Sequence, residues 1–174
     1  MSNVLSEFKK ISTFIFDIDG VLTDGSFLLL PNGLMVRRMH IKDSFAIQMA
    51  LRKGYKVYIV SGSYSEEIKK RLEFIGVKEI HLGVADKTRF VTELLSSKKI
   101  KWKEVLYMGD DLPDLPLLNK VGLSCCPADA VNEVKSIVKY VSPVNAGWGC
   151  VRDVIEKVMK INGHWQYEPT VTSA

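Results

Sequence analysis

The sequence predicts an α/β fold: a Rossmann-like, three-layer parallel sheet with a β-hairpin flap directly after the first strand. Three observations predict it. Short apolar runs rich in β-branched and aromatic residues recur along the chain. Amphipathic stretches of helical length separate them. Early in the chain, Pro31-Asn-Gly33 stands between two β-prone runs and breaks the alternation. Continuous apolar runs suit strands buried on both faces, and strand–helix alternation builds βαβ units.

Taken in order, Thr13-Phe-Ile-Phe16 is the first strand. The hairpin follows over about residues 26–41, with Asn-Gly as its turn. A two-stranded ribbon is marginally stable alone, so this apolar hairpin is expected to pack against another subunit. A helix over about 43–53 stops at Gly54. The strand Lys56–Val60 leads to a helix over about 65–75, which has Ser65 as cap, acids in its first turn and Gly76 at its end. The remaining strands are Glu79–Leu82, Val105–Met108 and Gly122–Cys125. Helices are expected at about 87–98, 113–120, 129–136 and 149–161. With 174 residues the expectation is one domain over 1–161. Residues 162–174, polar but carrying Trp165 and Tyr167, read as a flexible tail.

Composition narrows the function. Apolar residues are 47% and charged residues 25%, which excludes wholesale disorder. No apolar run nears the roughly 18 residues of a membrane span, and the first ten residues do not read as a signal peptide. A cytoplasmic location is therefore expected. The net charge of +4 is mild, and its short basic clusters (Arg37-Arg38, Lys69-Lys70-Arg71, Lys98-Lys99) are dispersed. This pattern argues against nucleic acid and suits a small anionic ligand. Cys125, Cys126 and Cys150 show no CxxC pairing and no zinc spacing, so they are expected as reduced, partly buried thiols. His40, His81 and His164 are expected in packing or surface roles.

Two acidic clusters follow strand ends: Asp17-Ile-Asp19-Gly20 after the first strand, and Gly109-Asp110-Asp111-Leu-Pro-Asp114 after Val105–Met108. In an open α/β sheet, ligands sit beyond these carboxyl ends. One aspartate there is usually a turn former or helix cap. Two clusters converging on one rim would repel unless a hard divalent cation with oxygen ligands joined them, and Mg²⁺ is expected. Ser61-Gly62-Ser63 and Lys87 also follow strands. A hydroxyl, loop N–H groups and an ammonium can hold phosphate oxygens.

Asp17-x-Asp19, Ser61, Lys87 and Gly109-Asp110-Asp111-x-x-Asp114, in that order, resemble the haloacid dehalogenase superfamily of aspartate-nucleophile phosphotransferases. The resemblance implies that Asp17 attacks phosphorus to form an aspartyl-phosphate. Asp19 would protonate the leaving alcohol and then deprotonate water. Asp17, the backbone carbonyl of Asp19, and Asp110 would hold Mg²⁺. Ser61, Gly62 and Lys87 would bind the phosphoryl group, with Asp111 and Asp114 in support. The spacing between these motifs leaves no room for a cap domain.

Asp19–Gly25, the hairpin, His40–Ile47 and Asn145–Asp153 look like the capless 3-deoxy-D-manno-octulosonate 8-phosphate phosphatase family. This implies a phosphorylated keto-deoxy sugar acid as substrate. It also implies a homotetramer with packed hairpins, and a tail reaching an adjacent site. Candidate substrate contacts are Thr23, Lys42, Asp43 and Arg152. The chain departs from the family's usual Thr-Gly-Arg at Ser61-Gly62-Ser63, and from Arg-Asp-Gly at Lys42-Asp43-Ser44. One cation is thus missing, and Lys42, Arg37, Arg38 and Arg152 are candidates to supply it. A nine-carbon sugar acid (2-keto-3-deoxynononate 9-phosphate or sialic acid 9-phosphate) is the alternative substrate. A phospho-accepting receiver-like regulatory domain is the non-enzyme alternative. The motif order, with the Asp-x-Asp pair first, and the presence of Asp19 favour the hydrolase.

Overall fold

Six strands form one parallel sheet in the computed structural model, which describes residues 4–166. In chain order the elements are α1 (Val4–Lys9), β1 (Thr13–Phe16), β2 (Leu28–Leu29), β3 (Met35–Val36), α2 (Ile41–Arg52), β4 (Lys56–Val60), α3 (Glu66–Phe74) and β5 (Glu79–His81). They continue as α4 (Lys87–Ser97), β6 (Val105–Met108), α5 (Leu115–Leu118), β7 (Leu123–Cys126), α6 (Asn132–Ile137), β8 (Tyr140–Val141) and α7 (Cys150–Ile161). The strand order is β5-β4-β1-β6-β7-β8. The chain starts in the middle of the sheet and builds outward both ways, so the switch point lies beside β1.

Register places the site. Phe16, the last residue of β1, is level with Ile59 on one side and Met108 on the other, and Val60 is level with His81. The residues that follow these strands therefore emerge on a single rim. Alternation along β1 sends Phe14 and Phe16 to one face, where α1, α2, α3 and α7 pack. Ile15 points to the other face, against α4, α5 and α6. All four β1 residues are buried, which explains an apolar run, Phe14-Ile-Phe16, with no alternation to a solvent face.

Two elements escape the sequence pattern. The helix α1 and the strand β8 are short, and β8 pairs only through Cys125↔Tyr140 and Cys126↔Val141 at the sheet edge. Two residues carry no readable periodicity. The strand expected from Gly122 begins at Leu123, because the Gly122 N–H donates to the Trp102 carbonyl instead of joining the ladder. The helix expected over about 113–120 is a tight turn at Leu112–Asp114 followed by the short α5. The three cysteines are free and buried.

The hairpin β2–β3 has two residue pairs, closed where the Leu30 N–H donates to the Leu34 carbonyl. Phe27, Leu28 and Leu29 are each more than half exposed. The return strand is nevertheless tied back: Met39 bridges Thr23, and Arg38 pairs with Asp24 at 2.8 Å. Of the expected tail, His164 and Trp165 touch the body. Tyr55 Oη is 2.9 Å from His164 Nδ1, and Trp165 meets Phe45 edge-on. Tyr167 and the residues after it fall outside the described residues. Among the described residues, no helix is long and apolar enough to cross a membrane.

Candidate active site

The rim is built from four strand ends. After β1, the Asp17 N–H continues the ladder to the Met108 carbonyl, and Asp17 Oδ1 accepts the Ile18 N–H at 2.7 Å. The backbone then winds through Asp19 and Gly20 and closes where the Thr23 N–H donates to the Ile18 carbonyl. Gly20 has φ +78°, and a Cβ there would lie 2.0 Å from Asp110 Oδ2. A side chain at 20 would therefore drive the two acidic loops apart. At Gly109 the crowding is within the second loop: a Cβ there would lie 2.4 Å from Asp114 Cγ.

Lys87, the first residue of α4, reaches back to the centre. Its Nζ donates to Asp17 Oδ2 at 2.5 Å and to Asp114 Oδ1 at 2.8 Å. Asp114 is fully occupied. Its Oδ1 also accepts from Tyr107 Oη at 2.6 Å, and its Oδ2 accepts the N–H groups of Asp110 and Asp111. Asp111 Oδ1 caps the following turn through the Leu112 N–H. Ser61 Oγ lies 3.2 Å from Ser63 Oγ and accepts the Ser63 N–H. Ser61, Ser63, Lys87, Asp111 and Asp114 line a cavity of about 340 Å³ with Asp17, Asp19, Gly62 and Asp110.

Five carboxylates face this cavity, with Lys87 as the one cationic side chain in its lining. Burial pushes the Asp17 carboxyl up to about 6; Lys87 opposes the rise and Asp114 adds to it. Burial likewise raises Asp110 to about 7, with the Asp114 and Asp17 charges reinforcing it. Burial alone would lower Lys87, but Asp17 and Asp114 outweigh it and raise the ammonium above its ordinary range.

A cation fits this arrangement. Asp17, Asp110 and Asp114 bring ligand oxygens within 4.8 Å of one another. Asp110 is the telling member, because its carboxylate accepts no hydrogen bond from the described residues and faces two other acids. Each Asp114 oxygen already accepts two hydrogen bonds, whereas each Asp17 oxygen accepts one and Asp110 none from the described residues, so Asp17 and Asp110 are the carboxylates with lone pairs left for a metal. An all-oxygen set of this kind suits a hard divalent ion.

Thr23, Lys42, Asp43 and Arg152 do not line this cavity. Thr23 is fully buried, and its hydroxyl supports the turn, donating to Asp19 Oδ1 and to the Ile18 carbonyl at 3.3 Å each. Asp43 is 1% exposed and points at the start of α7, where Oδ1 accepts the Arg152 N–H at 2.6 Å. The Arg152 guanidinium pairs with Glu156 and lies over the Phe45 and Trp165 rings. Lys42 lines a separate cavity with His40, Phe45 and Arg152. These four were expected as substrate contacts; within one chain they are a turn support, a helix cap and the walls of another cavity.

Two contributors have only a faint sequence signal. Tyr107 reads as one more apolar residue of β6, although its hydroxyl holds Asp114. Arg37, one of four cations considered for the missing charge, is the one bonded to an acid of the cavity: its Nε donates to Asp19 Oδ1 at 2.6 Å. Its place after β3, with hairpin geometry bringing it back to the first loop, was the usable clue.

A family model of haloacid dehalogenase-like hydrolases matches residues 76–155. The 3-deoxy-D-manno-octulosonate 8-phosphate phosphatase KdsC of Escherichia coli is 31% identical over 162 residues, covering 93% of this chain and 86% of its own. The crystal structure of the Yersinia pestis 3-deoxy-D-manno-octulosonate 8-phosphate phosphatase is similar, with a TM-score of 0.91 at 28% identity, over 94% of this chain and 88% of that one. The Moraxella catarrhalis 3-deoxy-D-manno-octulosonate 8-phosphate phosphatase, solved with magnesium, phosphate and KDO, gives a TM-score of 0.88 at 26% identity, over 92% of each chain.

Proposed function

This chain belongs to the haloacid dehalogenase superfamily, among the phosphatases of the 3-deoxy-D-manno-octulosonate 8-phosphate phosphatase family, and we propose that it hydrolyses the phosphomonoester of that eight-carbon keto-deoxy sugar acid. The observation that carries the reading is the convergence at Lys87. One ammonium bonds Asp17 and Asp114, brought from two different strand ends, while Asp110 stands unpaired beside them.

In this reading Asp17 Oδ2 attacks phosphorus and the ester oxygen departs with a proton from Asp19. Asp19 then takes a proton from the water that cleaves the aspartyl-phosphate, returning Asp17. Lys87, the Ser61 hydroxyl and the Gly62 N–H hold the phosphoryl oxygens, offsetting the repulsion between a carboxylate and an anionic ester. Asp17, the Asp19 backbone carbonyl and Asp110 would hold Mg²⁺, which supplies Lewis-acid charge to the transferring group. Asp114 and Tyr107 keep Lys87 in place, and Asp111 braces the loop.

The exposed apolar strip at Phe27–Leu29 supports the homotetramer as the working assembly, with hairpins packed together. Residues 1–161 act as one catalytic domain in this reading. The decisive test is phosphate release from a panel of phosphorylated keto-sugar acids, with and without added Mg²⁺. Highest kcat/KM on the eight-carbon ester, lost on chelation and restored by Mg²⁺, is expected. Preference for a nine-carbon ester would replace the substrate, and turnover indifferent to chelator would overturn the metal role.

A further inference from the structure

Asp19 carries the heaviest demand in the proposed reaction, because it gives a proton in one half and takes one in the other. Its own loop supports it weakly. The side chain is 34% exposed, and within the turn only the Thr23 hydroxyl reaches it, at 3.3 Å. The firm support comes from the hairpin. Arg37 Nε donates to Oδ1 at 2.6 Å, Arg37 Nη2 donates to Oδ2 at 3.3 Å, and the Arg37 side chain is only 8% exposed. A guanidinium presents its donors in a planar fork, so this contact fixes the plane of the carboxylate as well as its position.

The two carboxylate oxygens are held unequally. Oδ1 takes the short bond and the Thr23 hydroxyl, whereas Oδ2 has one long contact. Oδ2 is thus the oxygen left to exchange a proton with the ester oxygen or with water. The hairpin is pinned just beyond this contact, by the Thr23–Met39 bridge and the Arg38–Asp24 pair. Arg37 consequently has a defined place despite standing on a ribbon of two residue pairs.

We propose that Arg37 is a positioning residue for proton transfer: the hairpin guanidinium anchors Asp19 Oδ1 so that Oδ2 faces the leaving oxygen. The proposal rests on the acid/base role of Asp19 given above. It assigns the hairpin a part in the chemistry as well as in assembly.

A general acid matters most when the leaving group is poor. The test therefore compares kcat/KM for benzyl phosphate, a poor leaving group, with p-nitrophenyl phosphate, a good one; neither bears a carboxylate. The full chain with Mg²⁺ is measured as wild type, Arg37→Met, Arg37→Lys, Arg38→Gln and Asp19→Asn. Arg37→Met is expected to lose about 100-fold on benzyl phosphate, the scale of a misplaced catalytic group, and only a few-fold on p-nitrophenyl phosphate. Arg37→Lys, or guanidinium ion added to Arg37→Met, should restore part of the benzyl rate. Arg38→Gln loosens one of the two pins but keeps the Thr23–Met39 bridge and the Arg37 guanidinium, so it should change the ratio of the two substrates far less than Arg37→Met does.

Equal losses on both substrates in Arg37→Met would make the residue merely structural and overturn the proposal. A loss confined to KM for sugar-acid phosphates, with turnover of benzyl and p-nitrophenyl phosphate both intact, would make it a substrate-anion clamp and overturn it equally. Asp19→Asn separates the two levels. If it loses the substrates unequally while Arg37→Met does not, only the Arg37 assignment falls. If Asp19→Asn loses both equally, the acid/base reading itself falls.

Discussion

Asp17 and Asp43 are the same residue type in two regions, and their local conditions look alike. Both are buried, at 7% and 1% exposure, and both accept a backbone N–H. Burial pushes each carboxyl up to about 6. They differ in what else lies within reach. Asp17 meets Lys87, two further acids and an open cavity. Asp43 meets the first turn of α7, whose own N-cap is Gly149 and has no side chain to offer. Asp43 caps that helix from a neighbouring element, satisfying an N–H that would otherwise be orphaned. A perturbed carboxyl is therefore not a catalytic group by itself. Space for a reactant and opposing charges make it one.

The sharpest way to break the comparison is to remove the charge from each member. Asp17→Asn should cut turnover by at least about 10³-fold, because the nucleophile is gone, while thermal unfolding stays cooperative. Phosphate-release assays and calorimetry on the same sample check both halves. Near-normal turnover would place the nucleophile elsewhere.

Asp43 should show itself in stability against pH. Its carboxyl rises from 3.8 to about 6 on folding, so the folded protein binds the proton more tightly than the unfolded chain. The associated stability is fully present below about pH 4 and is lost as pH rises through 6. The shift corresponds to roughly 3 kcal/mol. Asp43 Oδ2 is buried without a hydrogen bond, so asparagine resembles the neutral acid there. Denaturant unfolding from pH 3.5 to 7.5 should show Asp43→Asn gaining about that amount relative to wild type across the window. A constant difference would mean that folding leaves the Asp43 carboxyl at its ordinary value.

The smallest expected effect lies three hydrogen bonds from the nucleophile, through Asp114 and Lys87. Tyr107→Phe removes a bond to Asp114 but leaves Lys87 and two N–H donors on that carboxylate. A loss of about 1 kcal/mol in unfolding free energy, with a few-fold drop in kcat, is expected. If neither moves, Lys87 and the loop hold Asp114 without the hydroxyl.

Much of the architecture is legible because its signals are local. Phe14-Ile-Phe16 and Val57-Tyr-Ile-Val60 have no polar position, and a strand without one must be covered on both faces. Ser65, with Glu66 and Glu67 behind it and Gly76 beyond, marks both ends of α3 within a residue or two. The elements that escape, α1 and β8, are too short to carry a period. Within the cavity, Asp17, Asp110 and Lys87 are legible from their places after strands. Tyr107 is not, since a tyrosine inside a buried strand reads as packing until its hydroxyl is seen to meet Asp114.

By itself, the amino-acid order determined the parallel α/β architecture, the hairpin after the first strand, and the arrival of two acidic clusters on the same rim. Periodicity, capping residues and the two-residue alternation of a strand act over a few positions, and the chain displays them directly. Tertiary structure alone decided which charges meet. Arg37 lies 18 residues from Asp19, yet finds it because the hairpin folds back. Asp43 and Arg152 are 109 residues apart and join as cap and helix rather than as substrate contacts. Such pairings depend on how elements pack, and a few ångströms in space decide what no spacing along the chain can express.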